Sequence, residues 1–373
     1  LLYANLTIAE YDAATGGKAA EHFDHDYTQQ LGLALINDPA RWQRGVEYLR
    51  IAARGLAGQA PTIFTQIAQA HERAGDAEGA RRSYEMVKQI GRAIGPKNFG
   101  EADRQAYFAA LKLLADSAIA RRDTDAGIEN LRLYCEYERS GLETLRLLTD
   151  LYEQKRDALA ALRANDQALL YDPKNKDLLE RKDKYYYSVT PDDLRARLDG
   201  FKDGFDVAYC LQKAGTLLNA KDADLDVVDW ALHLAELAQV VQPESPGAKF
   251  LRARALLRRG EKEEAVALFE EIRGNRPEKF ASAADEDGWY SSCRLLGEIY
   301  LYELGRPDVA VECFTAFRKS SKSGADTMYK LGQAYEQLGD RGRAKKFYEH
   351  VTAYDAHPLA PDAREALDRL RGE

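Results

Sequence analysis

The stretch ADTMYKLGQAYEQLGDRGRAKKFYEHVTAYDAHP, residues 325–358, decides the fold. Met328, Leu331, Gly332 and Tyr335 recur at three- and four-residue spacing, which puts them on one face of a helix. Gly339 and Asp340 supply a turn, and Ala344, Tyr348 and Val351 form the facing stripe of a second helix. Two helices joined by so short a turn must cross closely. Gly332 and Ala344 are therefore expected to be small because a larger side chain at either place would wedge the pair apart.

Working outward, the same unit recurs along most of the chain. Immediately upstream, Leu296, Gly297, Tyr300, Ala310, Phe314 and Phe317 hold the same places with one extra residue at the turn. A polar loop, EKFASAADEDG (278–288), is expected before it, and a sixth pair before that carries Ala253, Leu256, Gly260, Ala265, Phe269, Ile272 and Pro277. The fifth pair spans Phe205 to Pro243, with NAKDADLD lengthening its turn. Between Lys174 and Gly204 the period slips into a charged helix, a Thr190–Pro191 helix start and a short second helix; of Tyr185, Tyr186 and Tyr187, at least one ring is expected to be exposed. Four more pairs precede it. The fourth ends at Pro173, the third carries Gly127 where alanine is usual, and a longer connection, GRAIGPKNFGEADRQ (91–105), precedes the third. The second places His71 in the slot that Tyr335 fills, as a core imidazole, and in the first Asp38 and Pro39 open the second helix. The divisions expected are a lead-in over 1–26, repeats over 27–175, an irregular linker or degenerate unit over 176–204, repeats over 205–358, and a capping helix over 359–373 that shields the last apolar face.

With 373 residues, 45% of them hydrophobic, the chain can bury a core, and a net charge of −8 argues against an extended electropositive surface for nucleic acid. No apolar run approaches the roughly 20 residues that span a bilayer. The sequence opens on Leu1 rather than Met, so an upstream leader, anchor or catalytic domain stays open. Cys135, Cys210, Cys293 and Cys313 show no metal-finger spacing; three sit inside apolar helical patterns and read as packing thiols of a reducing, cytoplasmic compartment, with a Cys293–Cys313 disulfide as the alternative because the two fall on the helices of one pair. Gly16, Gly17 and Lys18 fail as a phosphate loop, because Ala19 follows the lysine and no strand precedes it. The cluster His22, Asp24, His25 and Asp26 lacks the i, i+4 histidines of a helical metal site and reads as a polar helix start. No catalytic residue, metal or cofactor is expected.

A small residue on the first helix, an aromatic soon after, Gly-Asp at the turn, alanine and then an aromatic on the second helix, and a closing proline together resemble the tetratricopeptide repeat. The strongest carriers are Leu331, Gly332, Tyr335, Gly339, Asp340, Ala344 and Tyr348, then Ala265, Phe269 and Pro277, then Ala161, Ala168 and Pro173. The resemblance implies an all-α fold, a right-handed superhelical solenoid of antiparallel helix pairs, whose first helices line a concave wall for a peptide or partner protein. It implies a non-catalytic scaffold or adaptor; the alternative is the regulatory region of an enzyme or signalling protein whose catalytic domain lies upstream. By the same resemblance the partner-binding candidates are Thr65, Gln69 and Arg73; Lys112 with Asp116; Arg146 with Asp150; Arg254 and Arg258; Arg294, Glu298 and Tyr302; and Tyr329, Gln333 and Gln337. The lysine and asparagine clamp with which some members hold a chaperone's terminal carboxylate is lacking here. Arg252, Arg254, Arg258, Arg259 and Arg294 gather in the sixth and seventh units, and guanidinium suits bidentate contact with carboxylates, so an acidic or extended peptide is the expected ligand.

Overall fold

The computed structural model describes residues 24–137, 141–353 and 356–372; His22 and the Gly16–Lys18 turn lie outside them. The described backbone is helical with no strand, and the chain divides into two compact units between Tyr185 and Tyr186.

The first unit holds four antiparallel hairpins: α1 (His25–Leu35) with α2 (Trp42–Gly55), α3 (Ala60–Arg73) with α4 (Ala77–Ile94), α5 (Glu101–Ala120) with α6 (Thr124–Tyr137), and α7 (Leu142–Gln154) with α8 (Ala158–Leu169). Helix α9 (Lys176–Ser188) follows and carries the division point. The second unit opens with two short helices, α10 (Pro191–Ala196) and α11 (Leu198–Phe201), where Thr190 caps the first by accepting from the Asp193 amide. Four hairpins follow: α12 (Val207–Asn219) with α13 (Leu225–Val241), α14 (Pro246–Arg259) with α15 (Lys262–Gly274), α16 (Ala283–Tyr302) with α17 (Pro307–Phe317), and α18 (Ala325–Gln337) with α19 (Arg341–Thr352). Helix α20 (Ala360–Gly372) closes the chain.

No single core organises either unit. Ile36, Leu49, Ile63 and Ile67 form one cluster from α1 to α3, Tyr84, Tyr107, Phe108 and Leu111 the next, and Leu131, Leu148, Leu151 and Ala164 a third, each drawn from neighbouring hairpins. At the far end Ala363, Ala366 and Leu367 of α20 pack on Tyr348 and Val351 and cover what would otherwise be an open apolar face.

The hairpin turn repeats a fixed chemistry. The N–H of the residue that opens the second helix donates to the carbonyl five residues back: Asp76 to His71, Asp123 to Ala118, Asp157 to Tyr152, Glu261 to Leu256 and Asp340 to Tyr335, all at 2.9–3.0 Å. The residue just before sits at φ between 57° and 88°, in the left-handed region; it is glycine at 75, 260 and 339 but arginine at 122 and 156. Each aspartate then caps its helix, as Asp340 does by accepting from Arg343 N at 3.0 Å. In the seventh hairpin the bond runs from Arg306 N to Tyr300 O, one residue longer, with Gly305 left-handed.

Close crossings are filled by the opposite side chain. A Cβ on Gly332 would lie 2.6 Å from Tyr348 Cε1, so the Tyr348 ring occupies the space that the glycine leaves, and a Cβ on Gly297 would lie 2.8 Å from Phe314. Tyr348 is fully buried and donates to Glu336 Oε2 at 2.6 Å, which keeps its hydroxyl satisfied. At α1 and α2 the approach is backbone to backbone, with a Cβ on Gly45 falling 2.9 Å from Gly32 O.

Three local expectations are revised. Helix α2 starts at Trp42, not at Pro39, because Asp38 Oδ1 accepts from Ala40 N at 2.9 Å and holds a separate turn. The connection over 91–105 shrinks to 95–100, and the loop over 278–288 ends at Ser282, because α5 and α16 begin early. Their first turns carry buried acids. Asp103 accepts from Thr62 N at 3.0 Å and Thr62 Oγ1 at 2.6 Å, while Asp285 accepts from Ser245 Oγ, Gly247 N (3.2 Å) and Ser282 Oγ (2.8 Å). Each acid thus ties the start of its helix to the start of the preceding first helix.

Tyr185 and Tyr186 are buried and Tyr187 is 69% exposed. None of the four cysteines is in a disulfide, so Cys293 and Cys313 are not joined; Cys210, Cys293 and Cys313 are buried among helices and Cys135 is half-buried.

Arg156 and Arg122 are expected to be improved by glycine. A non-glycine residue in the left-handed region costs about 1–2 kcal/mol, partly offset by the extra freedom of glycine in the unfolded chain. R156G should therefore raise stability by roughly 0.5–1 kcal/mol, read as a higher urea midpoint; a lower midpoint would refute the turn assignment. Gly332→Leu should cost about 1–3 kcal/mol by overpacking against Tyr348. Coupling with Tyr348→Leu should exceed about 0.5 kcal/mol in a double-mutant cycle, and additivity would show that the ring does not fill that space.

Candidate first-helix binding faces

In the first unit, α5, α7 and α9 enclose an open cleft of about 470 Å³ that Lys112, Asp116, Arg146 and Asp150 line together. Their spacing follows from the helix period, which returns residues four apart to the same face. The cleft is largely self-neutralised by α9. Arg146 reaches Asp177 at 3.2 Å; Arg181 reaches Asp150 at 2.5 Å and Asp177 at 3.4 Å; and Lys184 reaches Glu153 at 3.0 Å. The Asp150 carboxylate beside it raises the Arg181 pKa, against a smaller opposing effect of burial. Burial pushes the Glu153 carboxyl up, yet Lys184, Tyr185 and Arg181 outweigh it and leave the group below its usual range. Lys112 is exposed and has no ion-pair partner among the described residues. Thr65, Gln69 and Arg73 sit on α3 and line neither this cleft nor a shared network; Thr65 Oγ1 donates to Pro61 O at 2.9 Å. Arg181 and Asp177 were not among the sequence candidates because 176–204 had lost its period. Their recurrence 31 residues after Arg146 and Asp150 was the available signal.

The second unit sorts its five arginines. Arg252 turns toward Gln239 Oε1 (3.3 Å) and Glu236, and Arg259 pairs with Glu261 (2.9 Å) and Asp229 (3.4 Å). The remaining three collect on α14 and α16. Arg254 donates to Leu218 O (3.2 Å) and Asn219 Oδ1 (3.0 Å), and Arg258 donates to Ala220 O (3.0 Å), so both cap the last carbonyls of α12. Burial, then the neighbouring charges of Arg258 and Arg294, pull the Arg254 pKa below the ordinary guanidinium value. Burial is the larger cause; the two neighbouring arginines add to it and Asp287 opposes it. Arg294 pairs with Glu298 at 2.8 Å, and Lys330 shares the same carboxylate.

Next along this face, the Tyr302 hydroxyl donates to Gln333 Oε1 at 2.6 Å across α16 and α18, and Tyr329 leans on the Tyr348 ring with centroids 5.5 Å apart. Burial first, with help from Glu298, pushes the Tyr302 hydroxyl up to about 12, so it stays a donor at neutral pH. Each arginine carries five N–H donors, so the bonds to α12 leave others free for a ligand. These groups can hold carboxylates and backbone carbonyls.

His71 packs its ring edge against Trp42 at 5.2 Å between centroids, and its Nδ1 lies 2.8 Å from Asp76 Oδ2 while Asp76 caps α4 through Gly79 N. The imidazole is a buried part of the turn. Among the described residues no group of three or more His, Cys, Asp and Glu side chains could hold a metal ion, and no helix is long and apolar enough to cross a membrane.

Models of the tetratricopeptide repeat match residues 227–279 and 325–358. No curated protein matches the chain. Among solved structures it is similar to a tetratricopeptide repeat protein from Parabacteroides merdae ATCC 43184, at 14% identity over 84% of this chain and 99% of that one, with a TM-score of 0.28. The P58(IPK) TPR domain matches at 14% identity over 94% of this chain and 98% of that one, with a TM-score of 0.30. The APC/C hetero-tetramer Cut9–Hcn1 matches at 13% identity over 97% and 70%, with a TM-score of 0.35. The chain thus carries tetratricopeptide repeats over 227–279 and 325–358, and hairpins of the same build recur in both units.

Proposed function

We propose that this chain is a non-catalytic, cytoplasmic scaffold that binds an extended acidic peptide of a partner protein on the first-helix face of its second unit. Arg254, Arg258 and Arg294 carry the recognition there, with Tyr302, Gln333 and Tyr329 continuing the face. The observation that carries this reading is the placement of the three arginines on adjoining first helices, with Arg254 and Arg258 bonded to the end of α12 and Arg254 held below its ordinary pKa first by burial and then by the charges of Arg258 and Arg294. A carboxylate placed among them relieves that repulsion and gains charge-assisted hydrogen bonds. In the first unit the charges of the cleft are largely met by its own ion pairs, Arg146 with Asp177 among them, which leaves Lys112 as the cleft's cation for a partner and Thr65, Gln69 and Arg73 as peripheral contacts. Four cysteines outside any disulfide, three of them buried, support a reducing compartment.

A fluorescein-labelled polyglutamate peptide should bind the chain with a salt-dependent affinity. R254E/R258E should weaken that binding by about tenfold or more, as loss of a charge-assisted contact worth on the order of 1.5–3 kcal/mol requires. R294E tests the same cluster without touching the α12 carbonyls. Unchanged binding in both variants, each with a native melting curve, would defeat the proposal.

A further inference from the structure

A second surface lies between the second helices of the first two hairpins. Residues from α2, α3 and α4 border a groove of about 510 Å³ whose wall is apolar: Ala60, Phe64, Met86, Ile90 and Ile94 line it. Met86 is 39% and Ile94 38% exposed, so the apolar wall opens to water. None of the first-helix candidates lines it, and the charged residues that do are all arginines: Arg50 and Arg54 on the α2 edge and Arg82 on the α4 edge.

The sign of those edges matters when set against later junctions between second helices. Between α4 and α6, Lys88 and Arg92 reach across to Glu129, at 3.3 and 2.5 Å. Between α15 and α17, Arg273 reaches Glu312 at 3.0 Å. Opposite charges bridge those neighbours. At the α2–α4 junction both edges are cationic, so neither can bridge to the other. Arg82 is held by Glu78 at 3.1 Å on its own helix, whereas Arg50 and Arg54 have no ion-pair partner among the described residues. The result is an apolar trough with an arginine on each rim.

We propose that this groove docks an amphipathic helix of a partner protein, one whose apolar stripe of residues at i, i+3, i+4 and i+7 lies against Phe64, Met86, Ile90 and Ile94 and whose flanking acids meet Arg50, Arg54 and Arg82. The charge complement fixes the occupant: a helix seated between two cationic rims is favoured when both flanks of its apolar stripe are acidic, and a basic amphipathic helix is repelled. This surface is independent of the acidic-peptide site, which uses first helices of the other unit.

The test uses the full chain and four labelled probes in fluorescence anisotropy: a Leu/Glu/Ala peptide with leucine at i, i+3, i+4 and i+7, a scrambled peptide of the same composition, a Leu/Lys/Ala counterpart, and dodecanoate. The patterned acidic peptide should bind, and the scrambled and basic ones should bind at least about tenfold more weakly. R50E/R54E and M86D should each weaken the patterned peptide by about tenfold, with native circular dichroism, while leaving polyglutamate binding unchanged. R254E/R258E should leave the patterned peptide unaffected, so the two sites fail or stand separately. Equal binding of the basic or scrambled peptide, insensitivity to R50E/R54E, dodecanoate binding that excludes the peptide, or self-association of the chain through these residues would each overturn the proposal.

Discussion

One backbone hydrogen bond, from the amide that opens a second helix to the carbonyl five residues before it, sets the geometry of five of the described hairpins, and a bond one residue longer serves a sixth. It can form only if the intervening residue turns left-handed, and it brings the two helix axes together at once. With the turn fixed so tightly, the contact one helical turn further in has room for a large side chain on only one partner. That is why Gly332 faces Tyr348 and Gly297 faces Phe314. The cap that follows, usually an aspartate, satisfies the free amides of the second helix and makes the turn a self-contained unit of some five residues.

What joins one hairpin to the next is different in kind. Apolar contact alone leaves neighbours free to slide, because leucine and alanine faces are tolerant of register. Asp103 and Asp285 remove that freedom. Each is a buried carboxylate in the first turn of a 20-residue helix, and each accepts from groups at the start of the previous first helix. Gly247 and Gly288 sit beside the second of these, where a Cβ on Gly288 would meet the Gly247 backbone at 2.7 Å. The acid therefore works at a place where the two helices touch main chain to main chain. A buried carboxylate is costly unless its hydrogen bonds are complete, so the pairing is demanding about register where the apolar clusters are not.

The fold was legible because its determinants are short-range. Gly-Asp turns, small residues facing aromatics, and a closing proline all lie within one unit of about 34 residues, and a periodic reading collects them. Asp103 and Asp285 were misread as parts of polar connections for the opposite reason: their partners lie 38 to 41 residues away, and an acidic first turn looks like solvent-facing sequence until those partners are in place. The candidate site suffered the same limit. Arg252 and Arg259 cannot be told from Arg254 and Arg258 by composition; what separates them is that the first two meet acids and a glutamine near their own helix while the others bond oxygens at the end of α12. Arg181 was passed over because its helix had lost the apolar pattern, although its charge chemistry had kept the period.

Net charge is a poor guide to such surfaces. The chain carries −8 overall, yet most of its acids are committed to ion pairs or caps, and at physiological salt a free charge is felt over only about 8 Å. A distant excess of carboxylates therefore does little to neutralise three guanidiniums that crowd one another. In the Arg254 cluster, burial first and then the charges of Arg258 and Arg294 hold the Arg254 pKa down, in a protein that is acidic as a whole. The same reasoning applies to Arg50 and Arg54, which stand at an apolar edge with no ion-pair partner among the described residues, while Glu129 and Glu312 neutralise the corresponding cations elsewhere. Recognition in a repeat array is then governed by where the ion-pair pattern breaks, because an unbroken pattern spends its charges on holding one hairpin to the next.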